Sequence, residues 1–169
     1  DHSWLDLAGG ARVAQRVRVR LPDGQAVDLY NTHLHHEREA DELRRDQALR
    51  LVAWIGEQSA GAFPILVGDM NALPGSPAIK ALKRRFHSAY ELVYGDEPEA
   101  TFPTPLVAQE IPWRAPLDYI FVPSETGEYT RVAGASLAFA RPADEDPSLY
   151  ASDHYGLIAE IAFGEEAGG

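Results

Sequence analysis

The chain has 169 residues, 45% of them hydrophobic, and a formal net charge of −11. That is apolar material enough for one domain with its own core, and the negative sign disfavours broad electrostatic binding along duplex DNA. The absence of cysteine excludes disulfides and thiolate metal centres, and no run approaches the ~18 apolar residues of a membrane span.

The first residue is Asp1, not Met, so the sequence leaves its natural start and its compartment open. In residues 12–20, "RVAQRVRVR", Val13, Val17 and Val19 fall on one side and Arg12, Arg16, Arg18 and Arg20 on the other. The alternation predicts a strand with one wet face. Pro22-Asp23-Gly24 is a turn signal, so a hairpin partner is expected at 26–33, with Val27, Leu29, Asn31 and His33 on one face. Residues 37–58 carry Ala40, Leu43, Gln47, Leu51, Trp54 and Ile55 near one stripe at helical spacing. A buried strand is expected at 64–68. Ser76-Pro77 reads as an N-cap followed by proline at the first helical position, which predicts a short helix over 77–85.

Residues 95–116 are rich in proline and polar residues and read as a long surface loop. Strands are expected at 117–123, 129–140 and 155–163, with a polar loop over 141–153. Residues 164–169 read as a disordered tail. Strands interleaved with helices in this order predict a single domain of mixed-sheet, layered α/β architecture.

Four segments place polar residues where apolar runs end: "NTHL" (31–34), "GDMNA" (68–72), "LDYI" (117–120) and "SDHYG" (152–156). Asp69 and Asp153 offer carboxylates to a hard cation such as Mg²⁺ or Mn²⁺. Asn71 offers an amide oxygen to a metal or an NH₂ to a phosphoryl oxygen. Asp118 could orient His154 or accept a proton from an attacking water. Taken singly, each has a plainer explanation. Asp-x-Asn at a strand end makes Asx turns, and Ser152-Asp153 could close a loop. Asp118 inside an apolar strand needs a partner to offset the cost of burying a carboxylate.

The four segments in this order resemble the endonuclease/exonuclease/phosphatase superfamily, which has the fold of deoxyribonuclease I. The resemblance runs over about residues 12–163. It implies a DNase I-like layered α/β sandwich and a divalent-metal-dependent phosphoesterase, hydrolysing a phosphodiester or phosphomonoester by in-line water attack. It implies Asp69, Asn71 and Asp153 as metal-site residues. His33, Asn71, Asp118 and His154 would be the catalytic ones, with Asp118 paired to His154. Substrates of the class are phosphate esters: nucleotides, sugar phosphates, phospholipids or oligonucleotides.

The family's domain is longer than this chain and begins with a segment carrying an Asn and a metal-binding Glu. No match to that segment precedes residue 12. The chain is therefore expected to be a partial domain, with exposed apolar sheet covered by a homodimer partner or by the N-terminal segment. The alternative function is a non-catalytic half-domain that binds such a partner.

Three further features have competing explanations. His33 and His35 of "HLHH" could begin a zinc site but lack a third ligand; the simpler division is His33 in the site and His35 and His36 at the surface. "KALKRRF" (80–86) could meet phosphates or be a solvated helix face. Trp113, Tyr119 and Tyr155 could stack on a base or headgroup; Tyr119 and Tyr155 fall in strands, where core or site wall is the simpler place.

Overall fold

The computed structural model describes residues 1–124 and 130–164 of the chain. Its main sheet has six strands in the order β1-β2-β3-β4-β6-β5. They are β1 (His2–Asp6), β2 (Val13–Arg20), β3 (Ala26–His33), β4 (Phe63–Asp69), β5 (Phe86–Ser88) and β6 (Asp118–Pro123). A second sheet pairs β7 (Thr130–Ala138) with β8 (Gly156–Phe163). The helices are α1 (Asp41–Gln58), α2 (Pro77–Leu82) and α3 (Ala89–Tyr94). No helix among the described residues is long and apolar enough to cross a membrane.

The β2–β3 hairpin closes as its turn residues predict. Gly24 takes φ 89°, and Asp23 Oδ1 accepts the Gln25 amide at 2.9 Å. Between β3 and β4, the only parallel pair among these strands, α1 makes the crossover. Its Ala48, Leu51, Trp54 and Ile55 join Tyr30, Leu66, Phe121 and the α2 residues Ile79 and Leu82 in one core. Tyr30 meets Trp54 edge-on, with ring centroids 5.3 Å apart. Ser76 caps α2, its hydroxyl accepting from the Ile79 amide at 3.3 Å, with Pro77 in the first turn.

The two faces of β2 are used differently from what their polarity implies. Arg16 lies on the helix-covered face and is buried, whereas Val13, Val17 and Val19 are exposed. The buried position is satisfied by Asp28 of β3, fully buried, which receives Arg16 at 3.2 Å and Arg18 at 2.7 and 2.8 Å. Cross-strand partners share a face, and Val17 pairs with Leu29 while Trp4 pairs with Gln15. Exposed apolar side chains thus share this face of β1, β2 and β3, Trp4 68% and Val17 48% exposed, with Gln15 and Asn31 among them. The β7–β8 sheet stacks on this face farther along, where Phe163 meets Phe63 edge-on at 5.2 Å. It leaves these side chains uncovered.

Three elements are absent from the sequence reading: β1, β5 and α3. The first helix begins at Asp41, not 37, because Arg44 turns its guanidinium back onto the carbonyls of His35, Glu37 and Arg38. Those carbonyls end a loop instead of opening a helix. The second helix stops at Leu82. The 95–116 segment is not wholly superficial: Thr101 and Thr104 are fully buried within it. The strand expected at 129–140 runs from Thr130 to Ala138, and its first expected residue lies outside the described residues. So does the expected tail, except for its first residue, Gly164.

Candidate metal and phosphate site

β4 delivers Asp69 as its last residue, and the glycine before it is what permits the approach. Gly68 has φ 138°, and a Cβ there would stand 1.9 Å from the Thr32 carbonyl oxygen. No side chain fits between β3 and β4 at that point. The chain then turns. Asp69 Oδ1 accepts the Asn71 amide at 2.8 Å, and Asn71 adopts φ 47°, a left-handed conformation asparagine tolerates. The Asx turn and the site are therefore the same structure. Asn71 Nδ2 donates to the Leu34 carbonyl at 3.0 Å.

Asp118 opens β6 directly opposite Asp69 in the antiparallel register. The amides of Leu117 and Asp118 both donate to the Thr101 hydroxyl, at 2.9 and 3.1 Å. The loop bearing His154 is strapped to the same segment. The Thr104 hydroxyl donates to the Ser152 carbonyl at 2.7 Å and its amide to the Asp153 carbonyl at 2.8 Å, while the Tyr155 amide reaches the Thr101 carbonyl at 2.7 Å. Thr101 and Thr104 thus position two strand ends at once. Nothing in their sequence pattern beyond neighbouring prolines marks them.

His154 Nδ1 lies 2.7 Å from Asp118 Oδ2, and His33 Nε2 lies 3.3 Å from Asp69 Oδ2. One ligand atom from each of Asp69, Asp118 and His154 falls within 4.8 Å of the others, a group able to hold a metal ion. The donor set fits a hard divalent cation, because two carboxylates supply anionic oxygens and leave positions for water and phosphate. Asp153 sits beside His154 in the chain but stays outside this group; it is exposed, and its Oδ1 accepts the Ser152 hydroxyl at 3.1 Å. His35, by contrast, is buried and faces Glu37 at 3.4 Å. Of the basic island, Lys83 is bound by Glu91 at 2.8 Å and Glu97 at 3.3 Å. Tyr119 is a core residue whose hydroxyl donates to Ala72 and Pro116 carbonyls.

The electrostatics separate the two histidines. Burial alone would lower the His154 pKa, but the bond to Asp118 and the fields of Asp118, Asp69 and Asp153 outweigh it and hold it above the ordinary imidazole value. At His33 burial dominates, opposed by Asp69 and aided by Arg12 and His154, and the pKa is lowered. Burial pushes the Asp69 carboxyl up; the Asn71 amide partly offsets this and the neighbouring Asp118 adds to it.

Beside the group opens a cleft of about 860 Å³, lined among others by His36, Arg38, Leu73, Phe102, Trp113 and His154. The Phe102 ring lies 4.6 Å from that of His154 and 5.3 Å from that of Trp113, and the Arg38 guanidinium stands 5.3 Å over the Trp113 ring.

The same architecture recurs in solved structures. The human Nocturnin catalytic domain with bound sulfate superposes with a TM-score of 0.73 at 23% identity, over 96% of this chain and 58% of that one. D. rerio TDP2 complexed with a single-strand DNA product gives 0.75 at 18% identity, over 95% and 66%. The mannosyl-6-phosphatase of Bacteroides thetaiotaomicron gives 0.72 at 17%, over 96% and 66%. This chain therefore spans less than two thirds of these proteins' length, and it has a partial form of their DNase I-like sandwich. No curated protein matches the sequence significantly. The profile of the Endonuclease/Exonuclease/phosphatase family matches residues 2–154, through to the histidine that Asp118 holds, and the chain belongs to that family.

Proposed function

We propose that the chain carries the reaction centre of a divalent-metal-dependent phosphoesterase, hydrolysing a phosphodiester or phosphomonoester by in-line water attack. The carrying observation is the convergence of four strand-end segments: Asp69, Asp118 and His154 within 4.8 Å, and His33 on Asp69. Asp69, Asp153 and the amide oxygen of Asn71 are proposed as metal-site residues, with Asp118 close by. A bound Mg²⁺ or Mn²⁺ would supply charge to the phosphoryl oxygens and acidify a water.

The chain's own side chains divide the proton work. Asp118 fixes Nδ1 of His154 and makes the imidazole more basic, which suits Nε2 to take a proton from the attacking water as the new P–O bond forms. His33, 3.3 Å from Asp69, assists as a general acid toward the leaving oxygen or as a phosphate ligand. Asn71 positions phosphate.

The test is hydrolysis of bis-p-nitrophenyl phosphate by this chain with Mg²⁺, with Mn²⁺ and with EDTA. Expected is metal-dependent turnover that falls by about 10²-fold or more in His154→Ala. Turnover indifferent to EDTA and to that substitution would end the proposal.

A second reading is favoured by the exposed strip of Trp4, Val13, Val17 and Leu29. In it the chain is a non-catalytic half-domain that binds a partner chain or the family's N-terminal segment.

A further inference from the structure

The cleft beside the reaction centre is much larger than one phosphoryl group needs. Its volume of about 860 Å³ is the liquid share of about thirty waters. One wall is a run of four planar groups in sequence: His154, Phe102, Trp113 and Arg38, with successive separations of 4.6, 5.3 and 5.3 Å. The run starts at His154 of the candidate centre and ends at Arg38, and all four residues line the cleft. Trp113 lines the cleft and is 36% exposed. In a protein of net charge −11, three arginines, Arg38, Arg44 and Arg114, line this space against one carboxylate, Asp41, which is paired with Arg44. Arg114 also meets Glu99 at 3.0 Å.

A sugar offers hydroxyl groups, which Asn71, Ser76 and Arg44 of the lining could meet, but the flat wall of Phe102 and Trp113 gives a sugar no full-face partner as it does a planar ring. An acyl chain offers neither charge nor a flat face. A planar, electron-rich ring joined to an anionic phosphate matches both the wall and the charge. We propose that the cleft binds the base of a nucleoside phosphate against Trp113 and Arg38 while its phosphate lies at His154, so that nucleoside phosphates are the substrate class. The proposal rests on the phosphoesterase reading for the placement of the phosphate. It predicts selectivity against sugar phosphates of the same charge.

The experiment measures binding without turnover, by calorimetry in EDTA, of adenosine 5′-monophosphate, ribose 5-phosphate and the dinucleotide pApA. The nucleotide is expected to bind about tenfold or more tightly than ribose 5-phosphate, the range that stacking of one base supplies. Trp113→Ala should erase most of that preference and Trp113→Phe should keep most of it. Circular dichroism of each variant checks that the fold is retained. Tighter binding of pApA than of the mononucleotide would assign the cleft to an oligonucleotide end, and equal binding to a free nucleotide; both uphold the proposal. Equal affinity for the nucleotide and ribose 5-phosphate, no nucleotide binding, or a preference unchanged in folded Trp113→Ala would overturn it. Bis-p-nitrophenyl phosphate turnover, measured alongside, separates the two ideas. Turnover without base preference removes this proposal alone, and base preference without turnover removes the phosphoesterase reading alone.

Discussion

Asp118 and His154 come from segments 36 residues apart and meet at 2.7 Å across the end of the sheet. The carboxylate holds the imidazole in one orientation and keeps its pKa above the ordinary value. The folded protein therefore binds this proton more tightly than the unfolded chain does. The stability so gained is fully present below an unfolded pKa of roughly 6.5 and is lost as pH rises through the folded value. In Asp118→Asn, NMR titration of metal-free protein should show the His154 midpoint moved down, with the pH dependence of stability flattened above roughly pH 6.5. Turnover should fall by about 10²- to 10⁴-fold, as for a mispositioned catalytic imidazole. An unmoved His154 midpoint would show that the pair does not govern that proton.

Burial alone would push the Asp28 carboxyl up, but the bonds from Arg18 and Arg16 outweigh it and hold its pKa below the usual carboxylate value. The resulting stability is present above an unfolded pKa of roughly 3.9 and is lost as pH falls through the folded value. Asp28→Leu should cost about 3–5 kcal/mol in urea unfolding, because the buried Arg16 is left with only the exposed Asp1 carboxylate, 3.4 Å away. The double change Arg16→Met with Asp28→Leu should cost clearly less than Asp28→Leu alone, since the buried Arg16 charge leaves with its partner. Equal costs would show that Arg16 is not what makes the single change expensive.

The strip of Trp4, Val13, Val17 and Leu29 is a large exposed apolar patch of the kind that marks an interface. Size-exclusion chromatography with light scattering is expected to give a mass above that of one 18.6 kDa chain. Val17→Lys, in the middle of the strip, should return the mass to the monomer value without lowering the thermal midpoint. A monomer at high concentration from the unaltered chain would count against a second copy as the cover.

The sheet's interior and the site were legible for different reasons. β2, β3, α1, β4 and β8 announce themselves through period and turn residues. The candidate site residues stand out because chemistry-bearing side chains fall where apolar runs stop, as Asp69 does after Ile65-Leu66-Val67. Alternation in β2 could not say which face is inside. Polarity pointed to the valines, and only Asp28, on a different strand, turns Arg16 inward. β1, "HSWLD", carries no period and is a strand because β2 offers it an edge, with His2 opposite Val17. β5 has three residues and α3 six, too short for a pattern. Arg44, Thr101 and Thr104 were missed because their partners are backbone groups of loops, which no spacing rule foretells.

The arginine–aspartate cluster also bears on how the chain avoids a wrong fold. A strand as regular as "RVRVR" (16–20) could slide by one residue against β3 and present valine to the helices, a change that polarity alone would favour. Such a slip would carry Arg16 and Arg18 away from the one buried acid on β3 and leave Asp28 sealed in with no counter-charge. The cluster thus acts as a key that fits in a single alignment. It rejects the greasier pairing and leaves the valines outside.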